Sequence, residues 1–445
     1  MGDDLFFIGA AINLAKTGEL TNPWLSMWSE QTVDRFFVQP PFHSYTLAGW
    51  ITLFGNSTDS LLLFQCTCYC LFSIFAALIL RKYKFSELSI YCIPLVYTTW
   101  MAIAGLRQDA LGMAYLAIGL WALIHDSALR YFWASLFLGL AICTSPVLLA
   151  YAVPFSLGIA IANLHKNSKL DWHYFLRRIL ALLSAIFIVS LLLLWAIDFQ
   201  LFHFLDDLSW HASFRVVPLD RVIPEAMFIV TTGYGEIIYG SLYTTYLILL
   251  FFLIKNRKKS NTRVIYFAFL LNLALGINMI LYVSTLYYNF NFFCWLGVVI
   301  LLFEISFDKI LRITLAFLCL VVFLIYQSQL IVGVISQNHP PNSKYESTLQ
   351  WVKENPDRNY AIDDVAARVV FDYNLPNNSI AWNFSNNPEI FWPESVREKP
   401  LNTVWIISPA KAALTLDLPD YERVKLFGRT FNSIPRSPYD VTIVE

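Results

Sequence analysis

The sequence contains few charged residues. Only 14% of its 445 residues are Asp, Glu, Lys or Arg, whereas about 25% is usual in soluble domains. Apolar residues make up 57% and aromatic residues 16%. Such a chain has too little polar side chain to cover a water-exposed surface, which indicates an integral membrane protein. The net charge of -1 argues against nucleic acid as a partner, because nucleic-acid binding relies on a basic surface.

Cysteine is also scarce, and all seven cysteines lie in apolar segments. None follows Cys319, so the C-terminal tail has no disulfide framework. Cys66, Cys68 and Cys70 alternate in a way that suggests a metal site. A helix would point the three thiols in different directions, and we interpret them as small apolar side chains.

Apolar segments long enough to cross a bilayer, about 20 residues each, predict a bundle of membrane-spanning helices. We expect ten spans, at approximately 59–80, 88–106, 110–125, 131–144, 146–164, 177–198, 237–254, 264–286, 290–305 and 310–333. The fourth and fifth meet at Thr144-Ser145-Pro146 and form either two short spans or one kinked element. With ten spans, every loop rich in Lys and Arg falls on one face, as expected for the cytoplasmic side.

The opposite face then carries residues 1–58, the Arg107–Asp109 turn, a long loop at 199–236 and the C-terminal tail. We expect an outer-face loop with amphipathic helices at 1–58, a transmembrane helical domain at 59–335 and a small soluble α/β domain at 336–445. The fold class is therefore mainly α. Strand-like runs in the tail lie at Tyr360–Asp363, Ser379–Phe384, Thr403–Ile407 and Val441–Val444. No apolar span precedes residue 3, and we expect an upstream first helix to be missing from this chain.

Two adjacent carboxylates, Asp3 and Asp4, open the chain. Apolar residues follow at 6, 7, 10, 11, 14 and 15, which predicts an amphipathic helix along the membrane that ends at Gly18. A carboxylate at this position either accepts a proton from a substrate or caps the helix.

A second polar stretch contains Arg35, Gln39 and His43 around Pro40-Pro41. The prolines predict an extended approach to an interfacial helix at 42–54 that ends at Gly55. His43, on the first turn of that helix, is either structural or a contact to substrate.

Arg107 and Asp109 are separated by one residue in a turn between two spans. Ionisable residues at membrane depth are costly and are therefore functional candidates. The alternative is that the two side chains pair with each other.

The predicted loop at 199–236 concentrates further candidates. Its cations would suit a phosphate, and two histidines with acids between them would suit a metal ion. The residues are His203, Asp206, Asp207, His211, Arg215, Arg221 and Tyr234.

Taken in order, the acidic pair, the helix ending in Thr-Gly, the Pro-Pro motif, the helix ending in Leu-Phe-Gly55 and the Arg-x-Asp turn resemble the GT-C glycosyltransferases. The aminoarabinose-transferase-like and protein O-mannosyltransferase-like enzymes are the members it is most similar to. The resemblance covers residues 1–165 well and the remaining spans only by hydropathy. It implies sugar transfer from a polyprenyl-phosphate-linked donor to an acceptor (protein, lipid or glycan) on the extracytoplasmic face.

The resemblance also implies roles for individual residues. Asp3 would be the main catalytic carboxylate, with Asp4 beside it and Asp109 from the second outer loop. Gln39 stands where the family often has Lys or His, and Ser145 where a Lys is common. The donor phosphate would then be met by Arg35, Arg107, Arg215 or Arg221. The other candidates for substrate binding are Gln39, His43, His211 and Tyr234. No cofactor is certain, and a divalent metal ion is an option. A lipid or glycolipid transporter and a non-catalytic lipid-binding homologue are the alternative functions.

Overall fold

The computed structural model is mostly helical. It describes residues 4–25, 31–91, 106–125, 129–164 and 172–213, and in the C-terminal part 350, 353–355, 359–362, 379–381, 403–407, 423–426, 429–432 and 442–444.

The helices follow the predicted apolar segments with shifts of a few residues at their ends. They are α1 Asp4–Thr17, α2 Gln31–Asp34, α3 Phe42–Phe54, α4 Thr58–Lys82, α5 Asp109–Ile124, α6 Arg130–Thr144, α7 Leu149–Leu164, α8 Trp172–Ala196 and α9 Leu201–Ser213. Residues 87–91 are also helical. Short 3-10 turns lie at Pro23–Leu25 and Pro146–Leu148.

Helix α1 ends where predicted but is buried where an amphipathic surface helix was expected. Gly18 stops it with φ of +80°, a conformation that glycine adopts without strain. Leu5, Phe7, Ile8, Ala10 and Asn13 are all buried, and these positions lie all around the helix. The amphipathic prediction is therefore wrong.

The burial of α1 has a physical cause in the chain that follows it. Residues 20–25 and 36–38 lie over the helix, and α3 packs against it. The Asn22 side-chain amide donates to the Leu5 carbonyl over 3.1 Å. Residues 4–25 and 31–58 thus pack together as a layer of short helices, and their position on the outer face stays a prediction.

Helix α3 has the predicted limits. Gly55, with φ of +81°, closes it by donating its N–H to the Ile51 carbonyl. At 13 residues the helix is about 20 Å long, too short for a hydrocarbon core of about 30 Å. Its end leaves Leu53 and Phe54 exposed.

Two of the described helices are long and apolar enough to cross a membrane: α4 over its full length and α8 from Ile179 to Ala196. Many of their leucine, isoleucine and phenylalanine side chains face outwards. This supports membrane association. The second predicted span is described only at its ends, and the spans predicted at 237–254, 264–286, 290–305 and 310–333 lie outside the described residues.

The helix is interrupted between α6 and α7. Ser145 is extended, with φ of -142° and ψ of 107°, and the 3-10 turn Pro146–Leu148 leads into α7. The fourth and fifth apolar segments are therefore separate helices, and whether they form two spans or one kinked element stays open.

Helices α5 and α6 pack closely through small residues. Gly112 and Gly119 of α5 lie against α6, since a Cβ at these positions would lie 3.5 Å from the Ala141 carbonyl oxygen and 2.9 Å from Leu138 Cγ, respectively. Ala134 and Ala141 are the matching buried residues of α6. Between apolar helices small side chains let the backbones approach, and the resulting van der Waals contact holds them together.

In the C-terminal region, four short strands form one sheet in the order β2-β1-β3-β6, and β4 pairs with β5. They are β1 Asn359–Ile362, β2 Ser379–Ala381, β3 Thr403–Ile407, β4 Arg423–Leu426, β5 Arg429–Asn432 and β6 Thr442–Val444. β1 is parallel to β2 and β3, whereas β6 is antiparallel to β3. The four predicted strand runs coincide with the larger sheet, and the α/β domain as a unit stays a prediction.

We expect Gly119→Ala to destabilise the helical region by about 1–3 kcal/mol, the usual effect of overpacking. A Cβ at Gly119 would lie 2.9 Å from Leu138 Cγ and 3.1 Å from the Leu138 backbone nitrogen, so the two helices would have to separate. Thermal unfolding in detergent micelles measures the change. Gly49→Ala is the matched control, since a Cβ there meets nothing within 4 Å and alanine favours the helix. A Gly119→Ala protein as stable as the wild type would refute the close packing.

Candidate functional site

Polar side chains from five segments meet at one end of the helices. Ser145, after α6, reaches Asp109 at the start of α5. Tyr45 on α3 donates to the Ala196 carbonyl at the end of α8 over 3.1 Å. The basic residues of α4 and α6, Arg81, Lys82 and Arg130, lie at the far ends of their helices.

This placement agrees with the predicted grouping of the N-terminal region, the Arg107–Asp109 turn and the start of 199–236. Which side of a membrane this end faces stays a prediction.

Both carboxylate oxygens of Asp109 are bound by neighbouring side chains. Arg107 Nε lies 2.9 Å from Oδ2, and Ser145 Oγ donates to Oδ1 over 2.7 Å. The alternative that Arg107 and Asp109 pair with each other is thus confirmed. Each side chain of the ion pair is still 23% exposed.

The start of α1 lies next to this ion pair. The Arg107 guanidinium stands 4.7 Å from the centroid of the Phe7 ring, a cation–π contact. Phe7 is one turn after Asp4, the first residue of α1, which is about 5 Å along the helix axis. The backbone of the predicted acidic region therefore approaches the Arg107–Asp109 turn, while Asp3 itself lies outside the described residues.

Gln39 connects this turn to α9. Its Oε1 accepts from Gln108 Nε2 over 2.9 Å, and its Nε2 lies 3.3 Å from His211 Nδ1. An amide nitrogen can only donate, so His211 Nδ1 is the acceptor in this contact. Each end of the Gln39 amide thus has a partner within the protein, and its contact with a substrate stays a prediction.

Arg35 is bound to Asp207 of α9 through two parallel hydrogen bonds. Nε to Oδ2 is 2.8 Å and Nη2 to Oδ1 is 3.1 Å. The Asp207 side chain is only 4% exposed and that of Arg35 25%. The hydrogen bond to Asp207 raises the pKa of Arg35, so the guanidinium stays charged, as the pair requires.

The first part of the predicted loop 199–236 is a helix, α9, and its place outside the membrane spans stays a prediction. Its inner face consists of Phe204, Asp207, Leu208 and His211, at the i, i+3, i+4, i+7 spacing of a helix packed on one side. This spacing was present in the sequence. It was missed because Asp207 and His211 are polar and were considered only as candidates for a binding site.

The predicted histidine pair on this segment does not come together. His203 is exposed, whereas His211 is buried and packs against the ring of Phe6 at 5.4 Å. Eight residues on a helix turn through about 80° from the same face, which separates the two rings. Among the described residues no group of three or more His, Cys, Asp or Glu side chains could hold a metal ion.

His43 lies beneath the site and is 3% exposed. Its ring meets Phe64 edge to face at 6.3 Å. Within the described part of the chain neither ring nitrogen has a hydrogen-bond partner. Burial lowers the pKa of His43 to about 4, against the opposing charge of Asp109, so the ring is neutral at neutral pH.

The remaining predicted site residues, Arg215, Arg221 and Tyr234, lie outside the described residues. The contacts also add residues that were not predicted as part of the site: Phe7 and Ser145. Ser145 had been noted only for the lysine that it replaces. Comparisons with protein-family models, curated proteins and solved structures found no match for this chain.

We expect Arg35→Gln to destabilise the protein by up to about 3 kcal/mol, because it leaves the buried Asp207 carboxylate without its cation. Arg81→Gln is the matched control: its contact to Glu87 is 3.8 Å long and both side chains are more than half exposed. Such exposed pairs contribute less than about 1 kcal/mol. Chemical unfolding of both variants measures the difference, and equal effects would contradict the assigned burial.

We expect the free energy of unfolding to decrease as the pH is lowered, because of His43. Its pKa drops from 6.5 to about 4 on folding, so between these values only the unfolded chain binds the proton. The stabilising effect of the neutral ring is complete above about pH 6.5 and is lost as the pH falls towards 4, on the order of 3 kcal/mol in total. His43→Phe should unfold with a flatter dependence over this range. An identical pH profile in both proteins would place the His43 ring in water.

Proposed function

We propose that this chain is an integral membrane glycosyltransferase that uses a polyprenyl-phosphate-linked sugar as donor. One observation carries the proposal: an accessible carboxylate and cation, Asp109 and Arg107, stand beside the start of α1 at one end of apolar helices. The prenyl tail would remain among lipid beside helices such as α4 and α8. The sugar phosphate would then reach the ends of the helices, on the extracytoplasmic face.

The reaction needs a proton acceptor and a group that meets the leaving phosphate. The acceptor hydroxyl attacks the anomeric carbon, the bond from that carbon to the phosphate oxygen breaks, and polyprenyl phosphate leaves with the electron pair. A carboxylate takes the hydroxyl proton, a role we assign to Asp3. Asp4 and Asp109 orient the acceptor, and Arg107 stabilises the negative charge on the phosphate.

A divalent metal ion is not assigned a step. The described residues near Asp109 offer no set of three or more carboxylate, imidazole or thiol ligands. The cation that this part of the chain provides for the phosphate is a guanidinium, which suits phosphate geometry.

A non-catalytic lipid-binding homologue is the second candidate. It is favoured by the two ion pairs, Arg107 with Asp109 and Arg35 with Asp207. In each pair the charges already bind one another, which is all that a structural role requires. The two candidates differ in whether removing one charge stops chemistry or only weakens the fold.

We expect Asp109→Asn to reduce sugar transfer by about 100-fold, the size of effect that a misplaced acceptor can have. Asparagine keeps an oxygen for the Ser145 hydrogen bond but loses the charge. Asp3→Asn should have an effect at least as large. The measurement is mass spectrometry of glycolipids and glycans from a strain that lacks the gene and expresses each variant.

Asp59→Asn is the control for these variants, because Asp59 is an exposed carboxylate in the first turn of α4. It should transfer sugar like the wild type. Full transfer by both Asp3→Asn and Asp109→Asn would remove the catalytic proposal, and no glycan change in the deletion strain would favour the lipid-binding alternative.

A further inference from the structure

Two buried side chains beside Asp109 have unused hydrogen-bonding atoms. In the described structure, both ring nitrogens of His43 and the Thr144 hydroxyl lack a hydrogen-bond partner. Thr144 directly precedes Ser145, which binds the Asp109 carboxylate. His43 lies between Gln39 and Thr46, whose side chains contact Gln108 and Tyr115 of the segment that contains Asp109. The unused atoms therefore belong to the neighbourhood of one charged group.

Leaving such atoms unsatisfied is unfavourable. A buried donor or acceptor without a partner costs about 1–3 kcal/mol, and the great majority of such groups in folded proteins have one. A neutral imidazole has one N–H donor and one nitrogen acceptor. It is satisfied by a ligand that can accept from one neighbour and donate to another.

We propose that a hydroxyl group is bound between His43 and Asp109, supplied by water in the resting protein and by a substrate hydroxyl when one displaces it. His43 is then a positioning residue for Asp109. The site goes beyond glycosyl transfer, because a water bound there does not depend on which reaction the protein performs.

The chemistry around the site selects a neutral ligand. The charge of Asp109 is balanced by Arg107 at 2.9 Å, so a further charge of either sign would be left unpaired there. The carboxylate offers about four lone-pair directions, and the bonds from Arg107 and Ser145 use two of them. A hydroxyl can donate to Asp109 and accept from His43. Buried waters typically make about three such bonds.

Solid-state NMR on the full chain tests the hydration directly. The protein is labelled with 15N in its histidine rings and reconstituted in phosphatidylethanolamine–phosphatidylglycerol vesicles. The His43 signal is identified by its loss in His43→Asn, and that of the exposed His203 by His203→Asn. Magnetisation is then transferred from water protons to the ring nitrogens.

We expect the neutral His43 ring to receive water magnetisation at a rate within about twofold of that of His203, although it is buried. A His43 ring that receives none would be dry and would overturn the proposal. Methyl α-mannoside then separates the two hydroxyl sources. Loss of the water transfer with a shift of the His43 signal identifies a sugar hydroxyl at the site, and an unchanged signal identifies water as the hydroxyl that is bound.

Thermal unfolding of His43→Phe gives a second, independent test. If a hydroxyl is bound, phenylalanine displaces it and leaves Asp109 with one contact fewer, so the melting temperature falls. If the pocket is dry, phenylalanine removes two unsatisfied nitrogens, and an unchanged or higher melting temperature would contradict the proposal. Ser156→Ala is the control, since the Ser156 hydroxyl on α7 is likewise buried without a partner among the described residues and should be replaceable at little cost. Neither test measures sugar transfer, so the proposed enzyme activity can fail while the hydroxyl site stands.

Discussion

A carboxylate at the end of apolar helices must be bound by hydrogen-bond donors from the protein. Asp109 is such a carboxylate, and its donors determine how the helix ends are arranged. Arg107 and Ser145 supply the donors. Ser145 binds the Asp109 carboxylate from the break between α6 and α7. Arg107 in turn stands on Phe7, which places α1 against the same turn. One charge thus connects three otherwise separate segments.

The helices are held together by different interactions along their length and at their ends. Along α5 and α6 there are few polar groups to satisfy, and alanine and glycine allow close backbone contact. At the ends, hydrogen-bonded side chains connect the segments: Gln39 with Gln108, and Arg35 with Asp207. Van der Waals packing between small residues fixes how near the helices lie. Hydrogen bonds with defined directions fix which ends meet.

Local signals in the sequence predicted the limits of elements well. Gly18 and Gly55 end helices because each adopts a positive φ, and Ser145-Pro146 marks a turn. The runs in the tail coincide with strands of the larger sheet. Contacts between distant segments were not predictable in this way. Arg35 and Asp207 are 172 positions apart, and periodicity in a single sequence carries no information on such a partner.

The burial of α1 and of the inner face of α9 was missed for one reason. In both segments a polar side chain that faces the protein interior was not expected. In α1, Asn13 is buried and donates to the Thr21 hydroxyl over 2.7 Å. In α9, Asp207 and His211 lie on the buried face and bind Arg35 and Gln39. Polar side chains that pair inside the protein look identical, in sequence, to those that are solvated.

The burial of the two carboxylates also indicates which ion pair can bind a substrate and which one stabilises the fold. The side chains of Arg107 and Asp109 are each 23% exposed, so water reaches both and screens their attraction. A bound phosphate can therefore compete with Asp109 for the guanidinium. Arg35 is exposed to a similar extent, 25%, but its partner Asp207 is only 4% exposed, and leaving that buried charge without its cation costs up to about 3 kcal/mol. A phosphate that drew Arg35 away would have to repay that cost, so of these two arginines Arg107 is the one that a lipid phosphate can use.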